Sequence, residues 1–302
     1  MKKRIVIAGG TGFIGKAISS HFLEKGYEVV VLSRRKTEWK DDVLYQHWDG
    51  KNSGEWTRYI NGAEIVVNLT GKSVNCRYTE ENKRLILSSR VDATTILGEV
   101  INLAEHPPQL WINASTATIY DYSLTKPMTE ESGDIGNDFS MSVASAWEHA
   151  FFAASTPGTR KVALRISLVL GQGEGVLPVL TKLARLGLGG YHGNGKQKFA
   201  WIHLADVLGI IDFVLENNIE GPVNCTTDTD INNRQFMQAL RKSLGVPFGM
   251  PTPKFAMELG AVVMGTESEL LLKSRYVKPK RLLDAGYSFQ FTDIHAALQN
   301  LK

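Results

Sequence analysis

Gly9-Gly10-Thr11-Gly12-Phe13-Ile14-Gly15 lies between a short apolar run, Arg4–Ala8, and a segment with apolar residues at helical spacing: Phe13, Ile14, Ala17, Ile18, Phe22 and Leu23. This setting reads as strand, tight turn, helix, with Gly26 closing the helix. A glycine at the head of the turn reaches backbone angles that a Cβ forbids. The central glycines allow a pyrophosphate to approach the backbone, and Gly15 lets the helix pack closely on the sheet. The helix amino end then offers unpaired N–H groups and partial positive charge. Gly9, Gly10, Thr11, Gly12, Phe13, Ile14 and Gly15 are therefore expected to form a dinucleotide phosphate-binding turn.

Working outward, Glu28–Leu32 reads as a second buried strand, Val43–Trp48 as a third and Glu64–Leu69 as a fourth. Thr79–His106 is a long helical segment, with Thr79 as N-cap and Pro107-Pro108 as its stop. Leu110–Ser115 is a fifth strand, Asn137–Ala154 a helix, Lys161–Leu170 a sixth strand and Pro222–Thr226 a seventh. Strands alternating with helices imply right-handed crossovers and a parallel sheet. The expected fold is α/β, a Rossmann doubly wound parallel sheet with a smaller, mostly helical C-terminal domain. The expected division is residues 1–226 for the nucleotide-binding domain and 227–302 for the substrate side, with 171–200 contributing to the substrate lobe.

Cofactor choice is read at the end of the second strand. An Asp or Glu there would accept from a ribose 2′-hydroxyl. This chain has Ser33-Arg34-Arg35 instead. Guanidinium groups pair with a 2′-phosphate through charge-assisted bonds, whereas a carboxylate repels it. NADP(H) is the expected cofactor.

Composition excludes other classes. Hydrophobic residues make up 43% and charged residues 22%, which rules out a disordered or fibrous chain. The formal charge of +3 comes without a basic stripe, so no nucleic-acid partner is expected. The apolar run after the basic amino end stops at Gly9, too short for a signal peptide, and no stretch approaches the ~20 apolar residues that span a bilayer. Cys76 and Cys225 form no metal-ligand spacing and no HExxH pattern occurs, so no metal site is expected, and a reduced cytoplasmic setting fits.

The spacing GGTGFIG resembles the extended short-chain dehydrogenase/reductase superfamily, which includes nucleotide-sugar epimerases. Asn68–Gly71, Ala114–Tyr120 and Trp201–Val207 resemble its stretches after strands four and five and its later His-containing segment. Arg77, Ser89-Arg90, Leu164–Gly171 and the tail from Pro251 to Lys302, with Gly265–Glu269 and Val277–Leu282, resemble a narrower epimerase-family subgroup with its own C-terminal module. The resemblance implies a small-molecule substrate, such as a nucleotide sugar. It places Asp49 with Trp48 near the adenine, Leu69, Thr70 and Gly71 along the adenosine, and Ser167, Leu168 and Val169 near the nicotinamide; Ser115 is a further expected cofactor-binding residue.

The superfamily's reaction rests on a Tyr-xxx-Lys pair on the helix after strand five. Counting back from Glu148, this chain has Ser140 and Ala144 at those positions, and the neighbouring register gives Phe139 and Val143. The dyad is absent. Thr116 falls at the family's catalytic hydroxyl position, and Tyr120 in the following loop is expected as a substitute acid. His203 and Asp206 read as structural residues at a helix start, and Arg77, Arg90 and Lys72 as either anion contacts or solvated-face residues. Two functions follow: an NADP(H)-dependent oxidoreductase or epimerase, or an NADP(H) sensor without turnover.

Overall fold

The computed structural model describes residues 2–253 and 273–302; Gly265–Glu269 of the expected C-terminal module lie outside the described residues. The chain begins with β1 (Arg4–Ala8), α1 (Phe13–Glu24), β2 (Glu28–Ser33), β3 (Glu38–Lys40), β4 (Val43–His47) and β5 (Ile65–Asn68). It continues with α2 (Glu80–Leu103), β6 (Leu110–Thr116), α3 (Phe139–Ala153), β7 (Arg160–Ile166), β8 (Leu168–Leu170) and α4 (Leu177–Leu183). Then follow β9 (Trp201–His203), α5 (Leu204–Glu216), β10 (Gly221–Cys225), α6 (Asn233–Leu244), α7 (Lys280–Asp284) and α8 (Ile294–Asn300).

The main sheet has the order β10-β7-β6-β5-β1-β2-β4-β3, parallel throughout except for the β3–β4 edge pair. Side chains alternate between its faces, as the pleat requires. Ile5, Ile7, Val29, Val31, Ile65 and Val67 pack with Ile18 and Phe22 of α1 and Ile210 of α5. Val6, Ala8, Val30, Leu32 and Val66 pack on the other face with Ala93 and Leu97 of α2 and Phe151 of α3. Both faces are covered, which is why these strands read as unbroken apolar runs. The order reverses at β1, whose neighbours β2 and β5 lead the chain to opposite halves of the sheet. Ligands of such sheets bind outside the strand ends at this switch point.

The expected sixth strand, Lys161–Leu170, is two strands. At Ser167 the backbone N–H and the hydroxyl both donate to the Cys225 carbonyl, at 3.0 and 3.1 Å, which ends the pairing with β10. β8 then leaves the sheet and pairs in parallel with β9. This small sheet, α4, α6 and α8 enclose a separate core around Leu170, Trp201, Phe236, Leu240 and Leu298. His203 caps α5, its Nδ1 accepting from the Ala205 N–H at 3.1 Å, and its ring stacks on Phe291. The fully buried Asp206 accepts from the N–H groups of Gln290 at 2.7 Å and Phe291 at 3.1 Å. Both residues join α5 to the C-terminal segment.

Candidate cofactor and active site

The turn after β1 is built so that side chains are excluded except where a ligand has room. Gly9 has φ +72°, and a Cβ on it would lie 2.8 Å from the Thr70 Cα. A Cβ on Gly15 would lie 2.4 Å from the Gly10 carbonyl oxygen, a backbone atom that has nowhere to move. At Gly12, by contrast, a Cβ would meet nothing within 4 Å. Gly12 is the N-cap of α1, and no side chain caps the helix there. The helix start therefore has neither a side-chain cap nor a crowding neighbour at Gly12, the arrangement that leaves first-turn N–H groups for a phosphate. The buried Thr70 hydroxyl beside this turn has no hydrogen-bond partner among the described residues, so a polar ligand group suits it.

Arg34 and Arg35 follow β2 and are exposed. Arg35 donates its backbone N–H to the Ser33 hydroxyl at 3.3 Å, and its guanidinium lies 6.0 Å from the Tyr45 ring centroid. Neither arginine has a carboxylate partner among the described residues. Asp49 stands in the next loop, its carboxylate accepting from the Lys51 and Asn52 N–H groups at 2.8 and 2.9 Å and from the Asn52 amide at 2.6 Å. These bonds hold its pKa down to about 2. Unfolded, an Asp titrates near ~3.9, so the loop contact is fully present above that pH and is lost as the pH falls towards 2. NMR titration of the Asp49 carboxyl is expected to show a midpoint near 2; a midpoint in the ordinary range would show that the loop does not close on it.

On the other side of β1, a cavity of about 180 Å³ opens at the ends of β5 and β6. Ser115, Thr116 and Thr118 line it from the end of β6, and Phe139, Ser140, Val143, Ala144 and Trp147 from α3. Val74, Tyr78, Ile86 and Arg90 close it from α2 and the segment before it. Ser140 and Ala144, where the sequence resemblance would put a tyrosine and a lysine, both line the cavity, and neither side chain is a phenol or an amine. The Thr116 Oγ1 accepts from the Thr118 N–H at 3.1 Å, which leaves its own proton available to the cavity. The Tyr78 and Phe139 rings meet edge to face, 4.9 Å apart.

A buried polar chain stands behind this wall. The Ser115 hydroxyl donates to Glu148 at 2.6 Å, and Arg165 grips the same carboxylate with two bonds of 2.8 and 2.7 Å. Arg165 also donates to the Tyr120 hydroxyl at 2.6 Å, which donates in turn to Asn224 at 2.9 Å. Burial pulls the Arg165 guanidinium down, but the Glu148 bonds and charge more than offset it and hold it above its usual range.

The expectation for Tyr120 is corrected by this chain. The residue is fully buried and absent from the cavity wall: it follows a short 3-10 turn over Ala117–Ile119 and packs in a small core with Ala117, Ile119, Met128 and Val277. Burial raises its pKa further from a useful acid. Tyr120→Phe is expected to lower the melting temperature and to leave any turnover unchanged; loss of turnover in a variant that stays folded would restore the acid role. Phe139 and Trp147 are cavity residues to which the sequence reading gives no site role, although their spacing with Val143 does mark one face of α3.

A parallel sheet, a phosphate turn at its switch point and a cavity beside the end of β6 define a dinucleotide-binding Rossmann scaffold. Residues 5–226 match the NAD dependent epimerase/dehydratase family, and the chain belongs to that family. Residues 252–301 match a domain of unknown function, DUF1731. The chain is 34% identical over 309 residues to the mouse epimerase family protein SDR39U1, covering 99% of each. It is 32% identical to the epimerase family protein YfhF of Bacillus subtilis, covering 98% of this chain and 97% of that one. The crystal structure of human SDR39U1 with NADPH superposes with a TM-score of 0.88 at 31% identity, covering 99% of this chain and 98% of that one. No described helix is long and apolar enough to cross a membrane.

Proposed function

We propose that the protein binds NADP(H) and uses it in an oxidoreductase or epimerase reaction on a small polar substrate, in a reduced cytoplasmic setting. One observation carries the reading: the phosphate turn, with open space beside Gly12, stands next to Arg34 and Arg35, which no described carboxylate neutralises. The NADPH in the human relative supports it. When bound, the cofactor supplies or accepts the hydride. The chain's part is to hold the substrate and to orient its reacting oxygen by hydrogen bonding. Thr116 presents its hydroxyl proton to a substrate oxygen, and Tyr78, Phe139 and Trp147 keep water from the reacting atoms. Ser167, Leu168 and Val169 border the nicotinamide side, and residues 227–302, with 171–200, form the substrate lobe.

The cavity of about 180 Å³ is below the ~300–1,000 Å³ of pockets that enclose a drug-sized ligand. It therefore has room for a small part of a ligand at a time, such as a ribose or the reacting end of a compact carbonyl or hydroxyl compound. The small residues Ser140 and Ala144 favour a second reading, an NADP(H)-responsive binding protein without turnover. A panel of small aldehydes, ketones and nucleotide sugars, monitored by NADPH absorbance, separates the two. Consumption by the wild type, lost in Thr116→Val with NADPH affinity kept, is the expected result. No consumption with any panel member, together with a cofactor-dependent change in partner affinity, would favour the sensor.

A further inference from the structure

The phosphate turn sits at the end of β1 and the two exposed arginines at the end of β2. A dinucleotide laid across this switch point with its 2′-phosphate towards Arg34 and Arg35 must run its other half over β5 and β6. That is where the cavity lies. Arg90 is the only charged residue that lines it among the described residues.

The setting of Arg90 is unusual for a cation. Its Nη1 donates to the carbonyls of Lys72 at 3.1 Å and Ile86 at 3.0 Å, which fixes the guanidinium against the segment after β5. A Cβ on Gly71 would lie 2.9 Å from its Cζ, so glycine there makes room for it. The Cζ stands 5.1 Å from the Trp147 ring centroid, beside the α3 face that carries Ser140 and Ala144. No described carboxylate pairs with it, and its Nε and Nη2 make no hydrogen bond among the described residues. Arg90 is half-buried, and burial lowers its pKa, as it does for a cation drawn partly out of water with no anion beside it. A fixed planar fork with spare donors suits a vicinal pair of oxygens.

From this geometry, and resting on the cofactor reading above, we infer that Arg90 holds the nicotinamide-ribose hydroxyls. It thus supplies from α2 the cation that α3 lacks at Ala144. Thr116 lines the same cavity, so a ribose held there sets the nicotinamide beside the reacting hydroxyl. Arg90 is then a cofactor-binding residue on the chemistry side, separate in role from the arginines that choose the phosphate.

The test compares two ligands by calorimetry: NADPH, and 2′-phosphoadenosine 5′-diphosphate, which lacks the nicotinamide riboside. Arg90→Gln is expected to weaken NADPH about 10- to 100-fold, the worth of hydrogen bonds to a charged donor, and to leave the truncated ligand within about threefold. Arg90→Lys, which keeps charge and most of the packing, is expected to lose a smaller factor for NADPH alone, and it carries the test if the Gln variant does not fold. Equal losses for both ligands, or no loss for either, would overturn the assignment while leaving NADPH binding intact. A wild type that binds neither ligand would instead overturn the cofactor reading, and this inference with it.

Discussion

Arg165→Met is expected to destabilise the protein by about 3–5 kcal/mol, because it strips a buried carboxylate of its partner. Side chains of both Arg165 and Glu148 are under a tenth exposed, and the pair is bidentate. Removing the guanidinium leaves Glu148 charged and away from water, with only the Ser115 hydroxyl for compensation. Tyr120 loses a charged donor in the same step. For a chain of this size the loss corresponds to a fall in melting temperature on the order of 10 °C. Glu148→Gln with Arg165→Met should cost less than the sum of the single changes, since the orphaned charge is gone. A single variant that melts within a degree or two of the wild type would show that the pair is solvated in solution.

Replacing both Arg34 and Arg35 with Ala has the second large effect, on ligand choice and not on the fold. Both side chains are exposed and unpaired among the described residues, so the melting temperature should stay close to the wild-type value. Hydrogen bonds to charged groups contribute about 1.5–3 kcal/mol each, so NADPH affinity should fall roughly 100-fold or more. NADH, with no 2′-phosphate, should change by less than about threefold. Parallel losses for the two nucleotides would mean that the arginines do not meet the phosphate.

The parts legible in the sequence are those in which neighbours in the chain act together. The turn from Gly9 to Gly15 and the apolar runs of β1, β2, β5 and β6 are local patterns with one physical solution. β3 escaped because Glu38-Trp39-Lys40 is wholly exposed and carries no apolar pattern. It is held by a two-residue turn in which Asp41 and Asp42 both have positive φ, 50° and 59°, where glycine or asparagine is the usual signal. The break at Ser167 depends on a carbonyl 58 residues away, which no local pattern encodes. The cavity draws Tyr78, Arg90, Thr116 and Trp147 from four separate segments. Its outline therefore follows from the packing of α2 against α3, not from spacing. Tyr120 shows the converse hazard: it sits next to the site in sequence, yet one short turn removes it from the site in space.

Native mass spectrometry of the purified protein, before and after addition of NADPH and then of NADH, shows whether the phosphate turn holds NADP(H). One NADP(H) is expected per chain, retained on purification or gained on addition, with NADH bound far more weakly. A mass that stays that of the bare chain in the presence of NADPH would contradict that expectation.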